Sequence, residues 1–133
     1  LQQIAPESGR VTQLAGGSRD EITPEHLIAA AHEGDAFALD ELNQWLDHLV
    51  RGLVPIVMLL EPKRILLGTI AIAAGDALCF APLRRKLQKV LWPHQWERLE
   101  IAPGGLGEDL PERAGLAVAQ AFVNPINSDD LHA

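Results

Sequence analysis

"EPKRILLGTIAIAAGDALCFAPLRRKL", residues 61–87, decides the fold because it places a strand, a glycine turn and a helix in succession. Pro62 ends the helix before it, since proline lacks the backbone N–H that a continuing helix needs. The run "RILL" predicts a short buried strand over about 64–68, which Gly68 closes. Asp76 then marks the start of a helical run. The stretch therefore predicts a strand and a following helix joined by one glycine turn.

A second strand is predicted beyond this helix. Pro82 marks a further helix start, and the helix stops before Pro93. The buried stripe predicted for this helix consists of Leu83, Leu87, Val90 and Leu91. "RLEIA", residues 98–102, predicts the second strand, and the order strand, helix, strand predicts a right-handed crossover with parallel pairing. We therefore predict a helix-rich α/β fold with a short parallel strand-helix-strand unit.

Two helices are predicted upstream of this unit. The first covers about 24–33, with Thr23 as its N-cap and Gly34 as its stop. The second is longer, and its apolar stripe comprises Leu42, Trp45, Leu46, Leu49, Val50 and Leu53. Beyond Leu53 the sequence is apolar on all sides, which indicates burial in the interior or against a partner subunit. Pro55 is expected to kink this helix.

The two ends of the chain are predicted to be less regular. Residues 1–22 combine a short helical segment with a loop or linker rich in Pro, Gly and Ser. A last helix is predicted over 111–123, and 124–133 form a polar tail. Because the chain opens on Leu1, and because two strands alone leave unpaired edges, we expect it to be part of a longer product with further strands upstream.

The composition excludes several classes of protein. The 133 residues are enough for one modest domain, and a net charge of −7 argues against direct binding of this segment to nucleic acid. The apolar run 53–60 is far shorter than the roughly 20 residues needed to cross a bilayer, so we expect no membrane association. A single cysteine, Cys79, excludes an internal disulfide, and the chain suits the cytoplasm.

Glycines follow both predicted strands. Gly68 and Thr69 come after the first strand, and Gly104, Gly105 and Gly107 come after the second. Ligands of open parallel sheets bind beyond the carboxyl ends of the strands, where bare backbone lets a nucleotide approach the main-chain amides. The sequence thus predicts a nucleotide-binding edge at these five residues. The alternative is that the turns use glycine only for its free backbone dihedrals.

The other polar and reactive residues predict structural roles. Two histidines, His26 and His32, lie six positions apart and do not share a helix face, so no metal site is expected. Three acidic residues, Asp40, Glu41 and Asp47, are assigned to the solvated face of the long helix. Cys79 is assigned as a small buried filler. Residues 92–96, "WPHQW", are interpreted as a connector pinned to the core by its two indoles, with an interface patch as the alternative.

Three segments together resemble a known family. They are "AAHEGDAFALDEL" (30–42), "LVRGLVPIVMLLEPKRILLGTIAIAAGDALCFAPLRRKL" (49–87) and "EIAPGGLGEDLPERAGLAVAQ" (100–120). In order and spacing they resemble the C-terminal lobe of the ROK family, the repressors, open reading frames and sugar kinases. The resemblance implies a partial actin-like, ribonuclease-H-like ATPase lobe, with residues 1–133 forming a single C-terminal-lobe segment of a two-lobed protein.

The resemblance also implies a function. It points to an ATP-dependent hexose kinase, glucokinase-like, that uses ATP and Mg²⁺ together with the upstream part of the protein. Gly68 would face the nucleotide near its adenosine, and Thr69 stands where the family has a second glycine. The catalytic aspartate and the sugar-binding residues would lie upstream, so no catalytic residue is assigned in this segment. The long helix through Trp45 and Leu53 would contribute to a homodimer contact.

Two alternatives to the kinase remain open at this point. The first is the sugar-sensing effector domain of a ROK-type transcriptional repressor, in which an upstream helix-turn-helix binds DNA and no ATP is needed. Thr69, a side chain where a close nucleotide approach would favour glycine, is compatible with that reading. The second is a degenerate remnant that serves only in dimerisation.

Overall fold

The computed structural model describes residues 5–105, and its regular elements alternate helices with a small sheet. They are α1 (Arg10–Leu14), α2 (Pro24–His32), α3 (Ala36–Leu60), β1 (Arg64–Leu67), α4 (Ile70–Gly75), α5 (Ala81–Val90), α6 (Pro93–Arg98) and β2 (Glu100–Pro103). A 3₁₀ turn lies at Arg19–Glu21, and a π-helical turn at Asp76–Phe80 connects α4 to α5. The predicted last helix, 111–123, and the tail, 124–133, lie outside the described residues.

The two predicted strands pair in parallel. Arg64 aligns with Glu100 and Leu67 aligns with Pro103 along the two-stranded sheet. The first strand lies within the predicted 64–68, whereas β2 begins two residues later than predicted. Ile101 is the buried residue of β2, so this strand is attached to the core through one side chain. The prediction of a helix-rich α/β fold with a short parallel sheet is confirmed.

The junction between α2 and α3 is tightly closed. Gly34 has a φ of +85°, and its N–H donates to the carbonyl of Ala31 at 3.0 Å. The N–H of Asp35 donates to the carbonyl of Ala30 at 3.0 Å, which completes the Schellman arrangement that ends a helix. The Asp35 carboxylate then accepts from the N–H of Ala38 at 2.9 Å and caps α3. Gly34 therefore ends α2, as predicted, and the next residue begins α3.

Gly34→Ala and Gly52→Ala are expected to change stability in opposite directions. A Cβ at Gly34 is strained at its positive φ, so Gly34→Ala should lower the free energy of unfolding by about 1–2 kcal/mol. Gly52 lies inside α3, and an added Cβ meets nothing within 4 Å, so Gly52→Ala should raise it by about 1 kcal/mol. Urea denaturation of the full-length variants measures both. Changes of the same sign in the free energy of unfolding of the two variants would contradict the positive φ assigned to Gly34 or the helical position assigned to Gly52.

Part of the core lies between α3 and α5, and one residue predicted to lie in it is exposed. Leu42, Leu46 and Leu53 of α3 and Leu83, Leu87 and Leu91 near α5 are buried. Val90 was predicted in the buried stripe of α5, but it is 49% exposed. It is the last residue of α5, and Leu91, four residues after Leu87, takes the buried position instead. The stripe therefore consists of Leu83, Leu87 and Leu91.

An ion pair links the same two helices. The ammonium group of Lys86 contacts the carboxylate of Asp47. The hydrogen bond from Lys86 holds the pKa of Asp47 below its usual range. Asp47 was assigned to the solvated face, and its side chain is 48% exposed, but this ion pair also ties it to α5.

The end of α3 is apolar and exposed. The helix continues through Pro55 and stops at Leu60, with Glu61 in the left-handed conformation after it. Leu59 is 81% exposed and Leu60 is 73% exposed. The expectation that this end enters the interior is therefore wrong. Its alternative, contact with a partner subunit, stays a prediction.

Residues 5–23 pack against the helices. This segment was predicted as a short helix with a loop or linker, and it contains α1 and the 3₁₀ turn. Val11 and Thr12 of α1 are buried, and the Thr12 hydroxyl donates to the carbonyl of Pro6 at 2.8 Å. Arg10 of α1 forms an ion pair with Glu33 at the end of α2. The described part of this segment is therefore attached to the domain and does not extend away as a linker.

Candidate functional site

The turns after the two strands lie side by side. The N–H of Gly104 donates to the carbonyl of Leu67 at 2.8 Å and extends the ladder beyond the strand ends. A Cβ built on Gly104 would lie 4.0 Å from the Cα of Gly68. A Cβ built on Gly105 would meet nothing within 4 Å, so its backbone is open. The structure thus brings Gly68, Gly104 and Gly105 together in one glycine edge, while Gly107 lies outside the described residues.

Backbone freedom does not account for the glycines of this edge. The described glycines with positive φ are elsewhere, at Gly16, Gly17, Gly34 and Gly75. At Gly104 an added Cβ would meet the Leu67 carbonyl oxygen at 3.5 Å, which is an ordinary contact. The backbone conformation therefore does not require glycine at 104. Because glycine has no side chain, the space beside this strand end is free for a ligand to approach the backbone.

Thr69 has the unusual backbone of the glycine edge. Its φ is +34° and its ψ is −98°, a conformation that a β-branched residue rarely adopts. Holding such a residue there costs about 1–3 kcal/mol. Its backbone carbonyl accepts from the N–H of Ala73 at 3.0 Å, and the side chain is exposed. A strained threonine therefore stands at the position where the backbone favours glycine.

A cavity of about 330 Å³ lies between α2, α3 and the start of α4. Its apolar walls come from α2, α3 and the first residue of α4, and consist of Pro24, Leu27, Ile28, Leu42, Trp45 and Ile70. Ile70 follows Thr69 in the chain, so the cavity and the glycine edge share the same turn. Ligand pockets usually measure about 300–1,000 Å³ and are lined mainly by apolar side chains with a few polar groups. The cavity has the size and the mainly apolar lining of a small-molecule site.

Polar side chains of α3 complete the lining of the cavity. They are Glu41, Gln44 and His48. The amide nitrogen of Gln44 donates to the carboxylates of Asp40, at 3.0 Å, and Glu41, at 3.4 Å. The imidazole Nδ1 of His48 lies 2.8 Å from the backbone carbonyl of Gln44. Glu41 was assigned to a solvated face, and this is corrected, because it is half-buried at the cavity.

Arg84 supports the glycine edge from α5. Its guanidinium donates to the carboxylate of Asp76 at 2.9 Å and to the carbonyl of Ile101 at 3.0 Å. It also lies 5.8 Å from the ring centroid of Phe80. Because Ile101 precedes Gly104 by three residues, this side chain ties the π-helical turn and β2 together just before the edge. "LRRK" is therefore in part a structural element and not a free basic patch.

The remaining assignments have mixed outcomes. Cys79 is fully buried, as predicted, and burial raises the pKa of its thiol to about 11. No group of three metal-ligating side chains occurs within residues 5–105.

The prediction that both indoles of "WPHQW" are pinned to the core is half wrong, because Trp96 packs on the core but Trp92 is 61% exposed. None of the helices described for 5–105 is long and apolar enough to cross a membrane.

Sequence reasoning missed the cavity residues. Trp45 was assigned only to a core stripe, and Gln44 and Ile70 were given no role. His48 was assigned from the sequence as a surface histidine, and it is exposed while also lining the cavity. One signal was available, since Glu41, Gln44 and His48 recur at helical spacing along one side of the apolar stripe. What the sequence could not provide is the position of α2, whose side chains close the cavity on the other side.

Comparison with known proteins agrees with these features. The sequence profile of the ROK family matches residues 2–121. A glucokinase from Thermotoga maritima is 32% identical to the chain over 116 residues, which are 87% of this chain and 35% of that protein. The chain thus spans about a third of the length of this curated relative. No solved structure matches the chain.

Proposed function

The chain belongs to the ROK family, and from this premise we propose that it forms the C-terminal lobe of an ATP-dependent hexose kinase. In this proposal the protein has two lobes with an actin-like architecture, and residues 1–133 contribute the lobe that closes over the nucleotide. The remaining parts of the site, including the group that accepts the proton of the sugar hydroxyl, belong to the rest of the protein. The kinase is proposed to be cytoplasmic and to act as a homodimer.

The observation that supports a nucleotide site is that Ile70, which lines the cavity, directly follows the turn formed by Gly68 and Thr69. The cavity offers an apolar slot for a base, with the Trp45 indole in its wall. Ile70 of the cavity wall follows Gly68 and Thr69 in the chain, and Gly104 lies beside Gly68. A nucleotide with its base in the cavity would therefore extend its ribose and phosphates along the glycine edge.

The described residues fit the nucleotide better than they fit the metal. The apolar walls and open backbone suit a base and a ribose, whereas no cluster of carboxylates among residues 5–105 suits Mg²⁺. When bound with the nucleotide, Mg²⁺ would supply positive charge that offsets the charge of the phosphates. In this proposal the described residues bind and orient the adenosine part, and the metal is held by the phosphates and the other lobe.

Gly68→Val in the full-length protein tests the nucleotide site. A branched side chain at the strand end would obstruct the passage between the cavity and the glycine edge. The KM for ATP should rise at least tenfold, since losing about 1.4 kcal/mol of binding is a factor of ten, while the KM for the sugar changes little. Steady-state kinetics with each substrate varied in turn measures both constants over a panel of hexoses.

Gly52→Val is the matched control. Gly52 is exposed on α3, away from the cavity lining, so the same substitution there should leave the KM for ATP unchanged. An unchanged KM for ATP in Gly68→Val would remove Gly68 from the nucleotide site. A wild-type protein that binds a hexose but neither binds nor hydrolyses ATP would overturn the kinase and favour the sugar-sensing domain of a repressor.

A further inference from the structure

We propose that the cavity binds the uncharged nucleoside part of the nucleotide, and that the Trp45 indole is the surface that the base contacts. A nucleoside without phosphates is then itself a ligand of this lobe. This inference rests on the nucleotide site proposed above and assigns one part of the ligand to one residue. The ligand class is a nucleoside, and adenosine serves as its probe.

The charge of the cavity lining disfavours a phosphate group. Among the described residues, no lysine or arginine lines the cavity, whereas the half-buried Glu41 does. The Gln44 amide donates to Asp40 at 3.0 Å and to Glu41 at 3.4 Å, but it is neutral and leaves the charge of both carboxylates in place. A phosphate in the cavity would bring further negative charge against Glu41, and like charges repel more strongly where water is partly excluded. The part of the nucleotide that suits the cavity is therefore its uncharged part.

Trp45 is the largest apolar side chain of the cavity lining. It is half-buried, because it packs against the core and also lines the cavity. Leu27, Ile28 and Leu42, which line the cavity with it, are buried, so the wall around the indole belongs to the packed core of the lobe. An aromatic side chain in such a wall can take any nucleobase, because every base has a π-face that stacks on it. Trp45 therefore suits the base of the ligand.

The phosphates are then bound outside the cavity. The backbone of Gly105 is open to solvent, and the groups that neutralise the phosphates belong to the rest of the protein in the function proposed above. Contacts to the base and contacts to the phosphates are thus made by separate groups, and such contributions to binding are close to additive. Removing the phosphates from the ligand should therefore leave the contact with Trp45 intact.

Binding of adenosine and ATP to the full-length protein tests this inference. The wild type should bind adenosine more weakly than ATP, and the two ligands should compete. Trp45→Leu should weaken both about tenfold and by the same factor, because the lost contact is to the base that they share. Calorimetry measures the dissociation constants. Adenosine should also quench tryptophan fluorescence in the wild type, and the loss of this quenching in Trp45→Leu would identify the indole.

Trp96→Leu is the matched control. Trp96 is also half-buried and packs on the core, but it does not line the cavity, so its variant should keep both affinities and the quenching by adenosine. A wild type that binds ATP but not adenosine would overturn this inference while leaving the nucleotide site intact. The same holds if Trp45→Leu weakens neither ligand or ATP alone, or if Trp96→Leu weakens both equally. A wild type that binds neither ligand would overturn the proposed function as well.

Discussion

Leu87→Ala is expected to lower the free energy of unfolding by about 3 kcal/mol, within the range of about 2–5 kcal/mol measured for such truncations in protein cores. Leu87 is fully buried in α5 and faces the core that α5 shares with α3. The substitution removes the transfer free energy of the buried methyl and methylene groups, and it leaves a cavity that the surrounding helices fill only in part. Urea denaturation of the full-length protein, followed by circular dichroism, measures the change.

Val90→Ala on the same helix is the matched control. Val90 is 49% exposed, so its truncation should change the free energy of unfolding by less than about 0.5 kcal/mol. A loss at Val90 as large as that at Leu87 would show that both residues are buried in the folded protein and would restore the stripe predicted from the sequence.

Cys79 is expected to react with iodoacetamide at least about a hundredfold more slowly in the folded protein than in urea. Only the thiolate attacks, and burial raises the pKa of this thiol from 9.0 to about 11, which reduces the thiolate fraction near pH 8 by roughly that factor. Cys79 is also fully buried, which limits access of the reagent. Mass spectrometry of the alkylated protein over time measures the rates. Equal rates would contradict the placement of the thiol.

The same shift predicts a pH dependence of stability. Below pH 9 the thiol is protonated in both states, and its contribution to stability is fully present. Between pH 9 and about 11 the unfolded chain releases the proton while the folded chain keeps it, so rising pH favours unfolding. Wild type should therefore lose more stability over this interval than Cys79→Ala. Parallel losses in the two proteins would contradict a raised thiol pKa.

Features determined by local chemistry could be predicted from the sequence. Gly34 ends α2 because glycine readily adopts the positive φ that is needed at this position. "RILL" forms β1 because a short apolar run lies between Pro62 and Gly68. The parallel pairing follows from the order of the elements. The burial of Cys79 and the adjacency of Gly68 and Gly104 follow from the same pattern.

Features determined by distant contacts could not be predicted in this way. Helical period alone assigned Val90 to the core, but exposure depends on where α5 ends relative to its neighbours. Asp47 looked like a solvated carboxylate until Lys86, on another helix, was placed beside it. The cavity depends on how α2 packs on α3, which single-helix patterns do not contain. The nucleotide roles of the glycine edge stay a prediction.

The strain at Thr69 has a consequence at the level of the genetic code. Threonine codons (ACN) and glycine codons (GGN) differ at two positions, so relief by glycine cannot arise in one nucleotide change. The intermediates, alanine, serine or arginine, all carry a Cβ, which is what makes the φ of +34° costly. A single mutational step therefore removes the threonine hydroxyl or its methyl group without relaxing the backbone. The strained threonine turn therefore cannot become a relaxed glycine turn through single nucleotide changes that each lower the backbone strain.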